Sequence, residues 1–283
     1  MSRTITPLSD VLRGRRGFIT GGGSGLGLAF AQLLARDGWH LGLLDRDPER
    51  LSTAARELDA AGAAAVHTYA ADVTDEAAFG AAVRDFAGRA GGLELMINNA
   101  GVALAGEIAA TPAADWRWAL DINVVGVAIG CRAALPFLKK ADAACVLNIA
   151  SAAAFASAAQ MSAYNASKAA VVSLTETLAQ ELEGTAVRVA VAMPGFFPTR
   201  LLDTARAPPD ALAAAQRMMN ASGYTAAQAA ADMLAACAAG RLYIVLPAAY
   251  ARLWRLKRFL PGVFMRRLSR MRWQALARRN SPR

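Results

Sequence analysis

Short runs of consecutive apolar residues alternate along the chain with longer segments whose apolar positions recur every three or four residues. "GFITGGGSGLG" reads as a buried strand running into a glycine-rich turn, and "LGLAFAQLLARDGW" follows at helical spacing and closes on Gly38. The unit repeats. Strand "HLGLLD" ends in Asp45, and helix "PERLSTAARELDAAG" has Pro48 in its first turn and Gly62 past its end. Strand "AVHTYAAD" and helix "DEAAFGAAVRDFAGRAG" come next. "LELMINNAG" is apolar until it ends in polar and small residues, and a long helix is expected around "WRWALDINVVGVAIGCRAALPFLKK". Strand "ACVLNIAS", a helix through Tyr164 and Lys168, and strand "VRVAVAMPG" complete the series. Strands that are apolar on both faces and alternate with helices predict a parallel sheet covered on both sides. The fold class is α/β: a Rossmann-like, doubly wound parallel sheet in a single domain.

Beyond this point the pattern changes. From Phe196 to about Ser222 the chain is apolar, interrupted by proline and contains methionine, which suits a mobile cap over a site or an ordinary surface excursion. Thr225 and Gln228 form a capping box for a helix that ends at Gly240, and "LYIVLP" reads as the last strand. The dinucleotide-binding domain is assigned to residues 1–247 and a helical extension to 248–283. In the extension Leu253, Leu256, Phe259 and Leu260 recur at helical spacing with Arg252, Arg255 and Arg258 between them. Pro261 breaks that helix, and a second basic amphipathic stretch carries Val263, Phe264, Leu268, Met271 and Trp273.

Composition narrows the class. With 283 residues, 55% of them hydrophobic and 19% charged, the chain buries a large core and is not disordered over most of its length. Cys131, Cys145 and Cys237 are odd in number and contain no CxxC pair, so they read as reduced structural residues of a cytoplasmic protein. "MSRTITPLSDVLRGRR" has no apolar run, so no signal peptide is expected, and no stretch approaches the roughly 18 consecutive apolar residues of a membrane span. The net charge of +9 is unevenly placed. Twelve of the 31 basic residues and none of the acidic ones lie between Gly240 and Arg283, leaving 19 basic against 22 acidic residues elsewhere. A basic amphipathic tail suits peripheral contact with an anionic membrane surface. Packing against a subunit or the lid is the alternative reading; no base-reading module is present, and no nucleic-acid partner is expected.

Chemistry sits at the strand ends. Gly21, Gly25 and Gly27 lie after a strand and before a helix, where backbone amides free of Cβ atoms can approach a pyrophosphate. Asp45 ends the next strand eighteen residues past Gly27, placed to accept hydrogen bonds from ribose hydroxyls. Either feature alone would suit a tight turn; together they point to a dinucleotide site. Tyr164 and Lys168 in "YNASK" are four residues apart and share a helix face. A free phenol has a pKa of about 10 and is a poor base at neutral pH, whereas a cation held nearby favours the phenolate.

"TGGGSGLG", "NNAG" at Asn98–Gly101, Asn123, Ser151, "YNASK" and "PG" at Pro194–Gly195 occur in an order and spacing that resembles the short-chain dehydrogenase/reductase family. The likeness covers roughly residues 15 to 200, with a more general similarity to about Pro247, and the spacing from Thr20 to Gly27 is that of the compact branch. The resemblance implies a catalytic set of Asn123, Ser151, Tyr164 and Lys168. Tyr164 would be the general acid/base, Lys168 would lower its pKa and bond the nicotinamide ribose, and Ser151 would hold the substrate oxygen. Asn123 would position a water that links Lys168 to solvent. By the same likeness Gly21, Ser24, Gly25, Leu26 and Gly27 bind phosphate, Asp72 and Val73 flank adenine, and Asn99 lies beside the adenosine ribose. Pro194, Gly195 and Thr199 meet the nicotinamide carboxamide. Asp45 argues for NAD, and the adjacent Arg46 is the residue that would pair with the extra phosphate of NADP. No metal is implied. The expected activity is hydride transfer between NAD(P) and a secondary alcohol or ketone. The apolar cap and basic tail point to a lipophilic substrate of steroid, fatty or terpenoid type, and the family resemblance to a homodimer or homotetramer. The alternative is a non-catalytic dinucleotide-binding platform with a membrane- or partner-binding tail.

Overall fold

In the computed structural model, which describes residues 7–269, the apolar runs pair as one sheet of seven parallel strands. These are β1 (Arg16–Thr20), β2 (His40–Asp45), β3 (Ala65–Ala70), β4 (Leu95–Asn98), β5 (Ala144–Ile149), β6 (Val187–Pro194) and β7 (Tyr243–Leu246), side by side in the order β3-β2-β1-β4-β5-β6-β7. The helices are α1 (Leu8–Val11), α2 (Gly25–Arg36), α3 (Pro48–Ala61), α4 (Glu76–Ala90), α5 (Ala113–Leu120), α6 (Gly126–Leu138), α7 (Ala153–Ala156), α8 (Ser162–Glu181), α9 (Pro209–Asn220), α10 (Ala226–Ala238) and α11 (Ala248–Phe259).

Successive strand residues point to opposite sides, and helices cover both, so the central strands β4 and β5 are buried throughout while the edge strand β3 is half-exposed. Leu95 and Ile97, with Cys145 and Leu147, belong to the core shared with Phe30, Leu34 and Met233. Met96 and Val146 belong to the core on the other face, with Phe79, Phe86 and Val171. The chain reverses its winding between β1 and β4. The crevice beyond their carboxyl ends is therefore the place where an open α/β sheet takes a ligand.

Local signals are realised where expected. Asp47 caps α3 through the amides of Glu49 and Arg50, Gly62 ends it in the left-handed conformation, and Thr225 with Gln228 closes the capping box of α10. One expectation is modified. The single long helix predicted after β4 runs from Ala113 to Leu138 but carries a π-helical turn at Asp121–Val125, with Asn123 inside it. This run is long and apolar enough to cross a membrane by composition alone, at a mean hydropathy of 1.4. In this fold it packs within the domain, α6 on α4 and β4 and the π turn on α8, with 39% of the apolar window buried. The extension continues directly from the sheet, with α11 packed on β7 and α7 and residues 261–269 also helical. Met271 and Trp273 lie outside the described residues.

Candidate active site

The glycine turn is stitched to the neighbouring strand end by side chains. Thr20 Oγ1 accepts hydrogen bonds from the amides of Asn99 and Ala100, each at 3.0 Å, and Asn99 Nδ2 donates to Thr20 O at 2.9 Å. Gly21 and Gly25 both have left-handed φ values, +63° and +55°, which no β-branched or bulky side chain tolerates. Ser24, Gly25 and Leu26 open α2 and line the cavity, whereas Gly27 lies behind them. A Cβ on Gly27 would overlap Gly21 O and press on Asn99 Nδ2, so the third glycine permits close helix–turn packing. Gly27→Ala is expected to destabilise the fold by about 1–3 kcal/mol, read by chemical denaturation, and to weaken dinucleotide affinity with it.

Asp45 lines the same cavity at the end of β2. Its carboxylate accepts bonds from the amides of Gly23 at 3.1 Å and Asp47 at 3.2 Å. A carboxylate has about four acceptor positions, so two remain for a ligand. Arg46 is exposed at the rim, and Arg50 also lines the cavity, held by Asp47 at 2.8 Å. Arg50 was not anticipated from the sequence, although its place in the first turn of α3 follows from the Asp47 cap. Asp72 and Val73 form the next stretch of wall, Asp72 being fixed by Thr74 N at 2.9 Å and Val73 lying close against Gly126.

At the other end, α8 brings Tyr164 and Lys168 to the cavity from one helix face, with Lys168 Nζ 5.9 Å from the centre of the phenol ring. Ser151 follows β5 and its Oγ accepts from Ala153 N at 3.2 Å. Lys168 is buried, donates to Ile149 O at 2.9 Å, and is pushed down to about 8 by burial. The expected acidification of the phenol is not a property of the protein alone. Burial pushes Tyr164 above its ordinary value, with the Ser151 hydroxyl pulling the other way. Both groups have lost water, and each charge is disfavoured for that reason.

Asn123 does not line the cavity. Its Oδ1 accepts from Val102 N at 2.8 Å, and its Nδ2 donates to Val102 O and to Ser167 Oγ, both at 3.0 Å. The amide therefore clamps the loop after β4 to α8 with both of its hydrogens in use. Its remaining acceptor capacity borders a gap over Gly101, where a Cβ would lie 3.0 Å from Asn123 Oδ1 and 3.2 Å from Lys168 Nζ. Only glycine leaves the space between those two polar atoms open.

Pro194 ends β6, Gly195 follows it, and both line the cavity with Thr199, which caps the 3-10 turn Arg200–Thr204. Tyr250 of α11 lies on Gly195 so closely that any Cβ there would overlap its ring. That the extension supplies a wall of the site had no signal in the sequence spacing. Phe196, Leu201, Leu202 and Met219 come from the cap segment, and the cavity holds about 330 Å³. The cap is fastened by Arg206, which pairs with Asp115 at 2.6 Å and sits 4.0 Å over the Trp118 ring.

The residues present fit a nicotinamide dinucleotide. Two left-handed glycines leave amides unshielded at the start of α2, a part-free carboxylate ends β2, and a buried Tyr–Lys pair stands at the far end of one continuous cavity. In an open parallel sheet a crevice at the switch point is where a dinucleotide binds. A family model described as short chain dehydrogenase matches residues 17–210, and the chain belongs to this family. It is an NAD(P)-dependent enzyme acting on CH–OH groups.

Two relatives from Xanthobacter autotrophicus are similar. 2-(S)-hydroxypropyl-CoM dehydrogenase 3 is 36% identical over 177 residues, covering 62% of this chain and 69% of that protein. 2-(R)-hydroxypropyl-CoM dehydrogenase is 35% identical over 188 residues, covering 65% and 75%. A short-chain dehydrogenase/reductase from Burkholderia phymatum, solved in complex with NAD, superposes with a TM-score of 0.82 at 35% identity over 88% of this chain and 94% of that one.

Proposed function

We propose that the enzyme interconverts a lipophilic secondary alcohol and its ketone, using NAD, with Tyr164 as general acid/base. The observation that carries this reading is the buried Tyr164–Lys168 pair at one end of a cavity whose cap contributes Phe196, Leu201, Leu202 and Met219. A bound nicotinamide supplies the hydride acceptor or donor. The Ser151 hydroxyl holds the substrate oxygen, and the Tyr164 oxygen takes the alcohol proton during oxidation or returns it during reduction. Lys168 orients the ribose and places its charge beside the phenol. Asn123 keeps the loop at Val102 against α8 and so fixes the height of both groups in the site.

The test is a panel of alcohols, from short polar ones and hydroxypropyl-CoM to steroid, fatty and terpenoid alcohols, followed by absorbance of the reduced cofactor. Lipophilic members are expected to give the higher kcat/KM; hydroxypropyl-CoM or short polar alcohols turning over fastest would overturn the substrate assignment.

Preference for NAD follows from the Asp45 carboxylate, which repels a 2′-phosphate, against Arg46 and Arg50, which would attract one. Asp45→Ser is expected to shift the ratio of kcat/KM values toward NADP by about tenfold or more, equivalent to roughly 1.4 kcal/mol. An unchanged ratio would mean that the arginines already set the preference. The assembly proposed is a homodimer or homotetramer, on the family resemblance, and light scattering on the purified chain reads it. A cytoplasmic location is proposed because Cys131, Cys145 and Cys237 are free and buried.

A further inference from the structure

Helix α11 has two sides of different composition. Tyr250 and Trp254, spaced by four, turn inward: Tyr250 lies on Gly195 and Trp254 packs at 5.3 Å on Tyr243, while the exposed Arg258 lays its guanidinium 5.5 Å over Trp254 and 5.7 Å over Tyr243. These contacts pack the helix on the sheet edge and the active-site wall, leaving its other side outward. On it Leu253 is 43% exposed, Phe259 76% and Leu260 53%, and in the following helical segment Met265 is 38% exposed. Arg252 and Arg255 are exposed among the first three, and Arg266 and Arg267 beside the last. Among the described residues no carboxylate forms an ion pair with any of these four arginines. The two helical segments are held together, since Phe264 is buried and Lys257 lies 5.5 Å over its ring.

A surface of large apolar side chains ringed by unpaired arginines is poorly suited to water alone. Its charge selects the occupant. Nothing acidic lies between Gly240 and Arg283, so a two-fold contact with a second copy would bring another uniformly basic face against this one, and the remainder of the chain, at 19 basic against 22 acidic residues, offers only a slight negative balance. An anionic lipid headgroup layer satisfies both features together: phosphates for the guanidinium groups and acyl chains for Phe259 and Leu260.

We propose that the outward face of α11 and of residues 261–269 is a docking surface for an anionic lipid bilayer. The proposal stands on this surface and not on the identity of the substrate. Docked there, α11 places one of its faces on the bilayer and the other, through Tyr250, on the substrate cavity.

The experiment is co-sedimentation of the full chain with vesicles of phosphatidylcholine alone and of phosphatidylcholine mixed with phosphatidylglycerol. Binding to the mixed vesicles is expected to be at least about tenfold tighter than to the neutral ones, and to weaken when salt is raised from about 0.1 M to about 0.5 M. The double substitution Phe259→Ser, Leu260→Ser is expected to lower affinity about tenfold or more while turnover in vesicle-free solution stays unchanged, which shows that the fold is intact. Arg252→Gln with Arg255→Gln should remove most of the preference for anionic over neutral vesicles. The proposal is overturned by absence of binding to mixed vesicles, by equal binding to both kinds, or by binding that survives both double substitutions. It is also overturned if the Phe259, Leu260 variant dissociates an oligomer and the parent chain ignores vesicles, because the face is then a contact between copies.

Discussion

Tyr164→Phe is expected to reduce turnover by about a thousandfold or more while leaving dinucleotide affinity within about threefold. The substitution removes one oxygen from a ring that is already buried, so the packing of α8 is retained and the loss falls on proton transfer. Two other side chains line this end of the cavity: the Ser151 hydroxyl offers no usable base near neutral pH, and the Lys168 amine is turned to Ile149 O at 2.9 Å. Burial holds the phenol above its ordinary value in the ligand-free protein, so it is protonated at neutral pH and ready to act as an acid. The sign of the pH dependence follows. In the oxidising direction kcat/KM should climb as pH rises, because the base is the phenolate. In the reducing direction it should fall at alkaline pH, because the acid is the phenol. Steady-state rates in both directions across the pH range, together with cofactor binding by fluorescence, check both statements. A Phe variant that keeps more than about a tenth of parental turnover would show that another group moves the proton.

How much of this site the chain discloses in advance depends on whether the relevant residues are close in sequence. Gly21, Gly25 and Asp45 are legible because strand, turn and helix follow one another directly, and the spacing carries the geometry. Tyr164 and Lys168 are legible for the same reason, being one helical turn apart. The winding of the sheet follows from strands apolar on both faces. Contacts between distant segments have no such signature. Arg206 meets Asp115 across 91 residues to fasten the cap, and Tyr250 reaches Gly195 from a helix that periodicity marks only as amphipathic. The π turn around Asn123 is equally hidden, since the amide inside it bonds to Val102 and Ser167, 21 and 44 residues away. Protonation is the least legible property. A spacing of four places an ammonium group beside a phenol, but the same burial that brings them together opposes the charge on each.

Lys168→Met is expected to separate the function of that lysine from its cost to the fold. Turnover should drop about a hundredfold or more, with weaker dinucleotide binding as well, because the substitution removes the charge beside the phenol together with the ribose donor. Stability should respond in a different way. Burial lowers the lysine from its ordinary 10.5 to about 8 in the folded chain. Below about 8 the amine is protonated in both the folded and unfolded states, and the whole desolvation cost bears on the fold. Between about 8 and 10.5 the unfolded chain binds more protons than the folded one, so this lysine makes stability rise with pH, by roughly 3 kcal/mol across the window. Methionine of similar length keeps the apolar stem and removes that rise, although it leaves Ile149 O without its donor, which costs about 1–3 kcal/mol. The two opposing effects nearly cancel near neutral pH, and the slope is the diagnostic quantity. Chemical denaturation of both proteins at a series of pH values from about 7 to 10 should show the parent gaining stability relative to the variant as pH increases. Parallel curves over that range would mean that the buried amine keeps its ordinary affinity for the proton, and that its hydrogen bond to Ile149 O, not deprotonation, offsets the loss of water around it.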